Sequence, residues 1–202
     1  MDYLFNIIAK DDVYNGFFRL SAYQIQHRLF TGGMSARIVR ECLERGNAVA
    51  LLPYDPVRDE VILIEQFRIG AVNRKDGPWL LETIAGVIEA GEQTADVARR
   101  EAHEEAGIAV KHLVSICEYL VSPGCTSEFV TLYCGLVDST DAGGLYGLAE
   151  EHEDIRATVF SREAAFNALT QGRIITSPAV IALQWLELNY QMLRANWSSI
   201  NH

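Results

Sequence analysis

Glu101, Glu104 and Glu105 stand at i, i+3 and i+4 within REAHEEAG (100–107). On a helix that spacing puts three carboxylates on one face, where like charges repel by about 0.2–0.5 kcal/mol per pair. Clustered carboxylate oxygens are hard donors of the kind that hold Mg²⁺ or Mn²⁺, and such a cation would turn repulsion into coordination. Mg²⁺ often bridges a few carboxylates to substrate phosphates, so a diphosphate suits this helix better than a neutral substrate. Taken alone, the octapeptide reads first as a solvated acidic helix face. Its surroundings change that reading.

The elements around it have to present this face. WLLETIAGVIE (79–89) is strand-like until Gly86, and the following loop leads to Glu92. The stretch 94–107 is helical by pattern: Thr94 is the expected N-cap, Asp96 falls in the first turn, and Gly107 is a natural C-terminal stop. Ala98, Ala102 and Ala106 form a seam of small residues that lets the helix lie close against a sheet. Upstream, NAVALLPY and VILIEQFRI flank the turn DPVRDE and read as a hairpin. VNRKDGP (72–78) is a polar loop. Downstream, VKHLVSICEYLVS and SEFVTLYCGLVD read as strands joined by PGCT. DSTDAGGLYGLAEEHEDI (138–155) is a long Gly- and acid-rich loop of the kind that is usually functional or disordered. RATVFS is a short strand. A helix with Ser161 as N-cap and Gly172 as stop follows, and a closing helix has Ser177 at N-cap and Pro178 at N1.

The first 45 residues differ. RLSAYQIQHRLF (19–30) reads as a strand with Tyr23, Ile25, His27 and Leu29 on one face, bracketed by Gly16 and Gly32-Gly33. This is a small antiparallel β unit, too small to bury its own core. The expected organisation is an N-terminal β unit over 1–45 and an α/β domain over 46–202, a mixed sheet between helices. The weak core of the first unit makes a homodimer the natural way to cover it.

With 27 acidic against 17 basic residues the formal charge is −10, which argues against non-specific nucleic-acid binding. An anionic substrate must therefore be held by local arginines and a bound cation. No apolar run approaches a membrane span, and MDYLFNIIAKDD is too short an apolar run for a signal peptide, so a cytoplasmic location is expected. Cys42, Cys117, Cys125 and Cys134 show no zinc-like spacing, and neither disulfides nor structural zinc are expected.

From Gly86 to Ile108 the chain places a Gly, a Glu six positions on, and then, after seven residues, Arg-Glu-Ala-His-Glu-Glu-Ala-Gly-Ile. Every fixed position of the Nudix hydrolase box is present; only Ala102 is smaller than the apolar residue usual there. ERGNAVALLPYDPVRDEVILIEQFRIG, PWLLETIAGVIEAGE, SPGCTSE, GLAEEHEDI and VIALQWL extend the resemblance to the bacterial ADP-ribose pyrophosphatases of that family, over most of residues 14–190. Cys125 departs from it, standing where Gly is common.

The resemblance implies a Nudix fold and Mg²⁺-dependent hydrolysis of ADP-ribose to AMP and ribose 5-phosphate, with Mn²⁺ as the other candidate metal. It implies Glu101 and Glu105 as principal metal ligands, Glu104 as a secondary one, and the Ala85 carbonyl as a further ligand. Glu92 and Arg100 would tie loop to helix, Arg100 being grouped with the catalytic machinery. A general base would come from the acidic loop, Glu151 first and Glu153 second, the latter also a candidate metal contact. Arg68 would clamp a phosphate, with Glu82 as a further polar contact. Phe17, Phe18 and Arg40 align with residues that recognise the adenine and adjacent ribose, in homodimers that exchange their N-terminal units. Alternatives are hydrolysis of another nucleoside diphosphate sugar or dinucleotide, or a non-catalytic sensor of ADP-ribose or NAD-like metabolites.

Overall fold

The computed structural model describes residues 3–200, with Glu151 and residues 197–200 described by their backbone alone. The chain divides into two compact units: Met1–Asn47 with Tyr119–Val130, and Ala48–Glu118 with Thr131–His202.

In the first unit β1 (Phe5–Asn15), β2 (Arg19–His27) and β3 (Ile38–Glu44) form an antiparallel sheet in that order. β2 is shorter than expected because the chain turns after His27, whose N–H donates to Ser35 Oγ at 3.1 Å. β1 has no counterpart in the sequence reading: FNIIAKDDVYN lacks clean alternation, and its pairing with β2 slips twice, between Ile7 and Ala9 and between Asp12 and Tyr14. Glu44 is the polar anchor, accepting from Ser127 Oγ at 2.6 Å, from the Tyr23 hydroxyl, and from Lys10 Nζ at 3.1 Å. The hydrogen bonds from Ser127 and Tyr23 hold its pKa down at about 2. Leu43 N–H donates to the Cys125 carbonyl at 2.8 Å, which ties the 119–130 segment to this unit.

The second unit is α/β. β4 (Ala48–Asp55), β5 (Glu60–Phe67), β6 (Trp79–Glu82), β7 (Ile84–Val87), β8 (His112–Leu120), β9 (Phe129–Leu136), β10 (Gly144–Tyr146) and β11 (Ile155–Ser161) build one mixed eight-stranded sheet. Its order is β10-β11-β5-β4-β9-β8, with β6 on β5 and β7 on β4. β4 and β5 pair with each other only beside their turn, at Tyr54↔Val61 and Asp55↔Glu60. Beyond it each takes another partner: Ile64 of β5 faces Glu82, and Ala50 of β4 faces Ala85. WLLETIAGVIE is thus two strands broken at Thr83, a change of partner that a continuous apolar run conceals.

The helices are α1 (Thr94–Ala106), α2 (Arg162–Thr170) and α3 (Ser177–Ile200). Ser161 caps α2, accepting from Ala164 N–H at 3.1 Å. The other two expected caps are each off by one. Gln93 is the N-cap of α1, and the Thr94 hydroxyl instead hydrogen-bonds Tyr133 Oη at 2.8 Å. Ser177 already lies within α3, whose Val180 N–H donates to the Thr176 carbonyl at 3.0 Å. Ala98, Ala102 and Ala106 are buried, as the small-residue seam requires, and α1 packs through them on Val49, Leu51, Ile62, Ile64 and Ile84. The 138–155 stretch is more ordered than a loop: β10 pairs antiparallel with β11, and Ala149–Glu151 form a 3-10 turn. Among the described residues no helix is long and apolar enough to cross a membrane.

Candidate active site

Gly86, the third residue of β7, lies directly beneath the Glu101 side chain: a Cβ there would stand 1.8 Å from Oε1 and 2.1 Å from Cδ. One residue earlier, Ala85 N–H donates to Glu105 Oε2 at 3.0 Å. The strand backbone and the helix carboxylates are therefore in direct contact, and a side chain at 86 would separate them. At its other end α1 stops at Gly107, whose φ of 64° is left-handed. Gly107 N–H donates to the His103 carbonyl at 2.9 Å and Ile108 N–H to Ala102 at 3.2 Å, the bonds of a Schellman stop.

Arg100 reaches across the acidic face. Its Nη1 lies 2.8 Å from Glu101 Oε1 and 2.9 Å from Glu104 Oε2, and its Nε is 3.6 Å from Glu92 Oε1. Burial pushes the Glu105 carboxyl up to about 8, with the charges of Glu101 and Glu153 adding to the effect against the Ala85 hydrogen bond. Glu101 is pushed up to about 7, again by burial first, with Glu104 and Glu153 opposing the help of Arg100. These carboxylates lack enough positive charge around them.

Arg68 and Glu82 turn out to be each other's partner, with Arg68 Nε 2.7 Å from Glu82 Oε2. Burial raises Glu82 against the pull of Arg68, and Gln66 supplies a further hydrogen bond. The positive charge of Arg68 also reaches Glu105. Register explains the grouping: Gln66 and Arg68 follow Ile64 at i+2 and i+4, on the same face, and the neighbour of Ile64 across the β5–β6 pair is Glu82. Gln66 is not singled out by the sequence, although its i−2 spacing from Arg68 is a signal for it.

Residues 44–181 match the NUDIX domain. The chain belongs to the Nudix family. It is 53% identical to the ADP-ribose pyrophosphatase of Escherichia coli (strain K12) over 95% of this chain and 92% of that protein. It is 48% identical to the ADP-ribose pyrophosphatase of Haemophilus influenzae (strain ATCC 51907 / DSM 11121 / KW20 / Rd), over 95% and 89%. The GDP-mannose pyrophosphatase of Enterobacter sp. (strain 638) is more distant, at 34% over 78% and 82%. A crystal structure of an ADP compounds hydrolase superposes with a TM-score of 0.65 at 20% identity, covering 91% of this chain and 94% of that one, which supports the fold.

In Nudix terms, the box spans β7, the loop after it and α1. Among the described residues no three His, Cys, Asp or Glu side chains are gathered in metal-holding geometry, and Arg100 lies across two of the glutamates. The donor set nonetheless fits a hard divalent cation. Glu101, Glu104 and Glu105 supply only oxygens, and buried Glu105 and half-buried Glu101 have raised pKa values that a cation would reverse.

Glu153 joins this group, since its charge acts on both Glu101 and Glu105, while the Leu148 N–H donates to its Oε2 at 3.3 Å. The side chain of Glu151 lies outside the described residues; its backbone ends the 149–151 turn. Phe17, Phe18 and Arg40 belong to the first unit. There Phe17 is 96% exposed and meets Phe18 edge-on at 4.8 Å, and Arg40 on β3 donates to its neighbour's carbonyl, Val39, at 2.8 Å. A cleft of about 400 Å³ lined by Glu65, Trp79, Leu145, Asp154 and Arg156 shares none of the box residues. Glu65 alternates with Ile64 along β5, so this cleft opens on the sheet face away from α1.

Proposed function

We propose that the protein is a cytoplasmic, Mg²⁺-dependent pyrophosphatase that hydrolyses the diphosphate of ADP-ribose to AMP and ribose 5-phosphate. The observation that carries the reaction is the carboxylate pair of buried Glu105 and half-buried Glu101, held on an intact Nudix box and short of positive charge. The 53% identity to ADP-ribose pyrophosphatases, against 34% for a GDP-mannose pyrophosphatase, favours ADP-ribose over other nucleoside diphosphate sugars.

Glu101 and Glu105 would hold the metal, helped by Glu104 and the Ala85 carbonyl. A divalent cation held there would polarise the diphosphate and lower the pKa of an attacking water. Arg68, oriented by Glu82, supplies a positive fork for a phosphate oxygen. Arg100 holds Glu101 and Glu104 in place before substrate arrives. A carboxylate of the acidic loop, Glu151 or Glu153, takes the proton of the water. Phe17 and Arg40 recognise the base and adjacent ribose in a homodimer with exchanged N-terminal units.

Product analysis across ADP-ribose, GDP-mannose and a flavin dinucleotide, each with Mg²⁺, tests this reading. ADP-ribose is expected to turn over fastest and to yield AMP and ribose 5-phosphate. Equal rates on all three would remove the substrate assignment, and no hydrolysis of any would remove the reaction.

A further inference from the structure

The acidic loop must be held at a fixed height over α1 if its carboxylates are to meet those of the helix, and one side chain stands at that junction. Tyr146 is the last residue of β10 and faces Ile155 of β11, so the pair closes the base of the loop 147–154. Its ring lies on the end of α1: a Cβ on Gly107 would be 2.6 Å from Tyr146 Cε1 and 2.7 Å from Oη. The same side chain packs against the core cluster that contains Ala102, Ala106, Ile108 and Ile155, and its hydroxyl donates to the Gly143 carbonyl at 3.3 Å. Immediately after it, Gly147 is in contact with Glu153, where a Cβ would meet Glu153 Cβ at 2.8 Å. Glu153 N–H donates to the Leu148 carbonyl at 3.2 Å and its carboxylate accepts from Leu148 N–H. From the helix stop to the carboxylate there is an unbroken chain of contacts: Gly107, Tyr146, Gly147, Glu153.

We propose that Tyr146 is a positioning residue, a flat spacer that sets the acidic loop against α1 and so fixes the separation between Glu153 and the Glu101–Glu105 pair. The inference rests on the reading of α1 and this loop as two halves of one site. The ring is what matters: its Cε1–Cζ–Oη end fills the space that a glycine at 107 leaves open, and a shorter side chain does not reach it. The hydroxyl adds a long bond to the carbonyl of the residue just before β10.

The test uses the full chain with Tyr146→Phe and Tyr146→Ala, read by hydrogen–deuterium exchange of metal-free protein and by steady-state kinetics with Mg²⁺ and ADP-ribose. Tyr146→Phe should keep wild-type exchange and kcat within about threefold, because the ring is retained. Tyr146→Ala should speed exchange in 147–154 about tenfold while β4 and β5 stay protected. It should lower kcat by about 10- to 100-fold, with KM changed far less, as expected for misplaced catalytic groups. Unchanged exchange and kcat in Tyr146→Ala, or equal loss in the Phe variant, would overturn the proposal. So would loss of protection spread evenly through the core, which would make the ring ordinary packing. If the alanine variant does not fold, Tyr146→Leu replaces it with the same outcomes. If the wild-type protein hydrolyses no diphosphate, the functional reading fails, while the exchange data still decide the role of Tyr146.

Discussion

Glu105 is only 2% exposed and accepts a hydrogen bond from Ala85, yet its carboxyl is pushed up to about 8, and that of Glu101 to about 7. Both lie above the ordinary carboxylate value of about 4.5 in an unfolded chain. The folded protein therefore binds more protons than the unfolded one across the window from about pH 4.5 to about pH 8. Their contribution to stability is fully present below that window and is lost as pH rises through it. A divalent cation bound to the deprotonated pair would oppose the loss. Thermal melts should accordingly show the metal-free Tm falling over this range and the gain from added Mg²⁺ growing with pH. Glu105→Gln should flatten the metal-free slope, shrink the Mg²⁺ gain and lower kcat about 100-fold or more. A Mg²⁺ gain in Glu105→Gln equal to that of wild type would remove Glu105 from the ligand set.

Between elements, the decisive contact is the one between β7 and α1, where Gly86 leaves no atom between strand backbone and Glu101. A methyl at 86 would meet the flexible end of Glu101 rather than backbone, so the fold can absorb it by turning that side chain away. Gly86→Ala should keep a cooperative melt and lose activity by about 100-fold, the scale of an ångström-sized misplacement. Wild-type turnover in a folded Gly86→Ala protein would show that Glu101 does not need this position. α1 was legible in the sequence because glutamate spacing, alanine seam and Gly107 stop all agree on one helix. The partner exchange at Thr83 was not, because two strands in series and one long strand share the same apolar pattern. The Arg68–Glu82 pair was hidden for the same reason: both residues could be singled out, but their meeting depends on the register of β5 against β6. β10 is a three-residue strand beginning at a glycine, too short for any periodicity to announce it, which is also why Tyr146 went unnoticed.

At the scale of the molecule, the first unit has a sheet without a core. Phe5, Ile7, Val13 and Tyr14 on β1 and Val39 on β3 are all more than half exposed, as is Phe17 in the turn after β1. Three strands bury too little on their own, and uncovered aromatic and branched side chains on both faces of the sheet, Phe5 and Ile7 on one and Tyr14 and Val39 on the other, invite a partner of matching apolar character. A second copy of the same chain would supply that character by two-fold symmetry. Sedimentation at micromolar concentrations should therefore give twice the chain mass of 22.5 kDa. Ile7→Asp combined with Tyr14→Asp places one charge on each face of the sheet and should shift the protein to a monomer with a lower Tm. If Phe17 and Arg40 recognise the base from the partner's side of an exchanged dimer, the monomer should show a raised KM for ADP-ribose while still binding Mg²⁺ through the box. A wild-type chain that sediments as a monomer would rule out the dimer, and a monomeric variant with unchanged KM would confine substrate recognition to one chain.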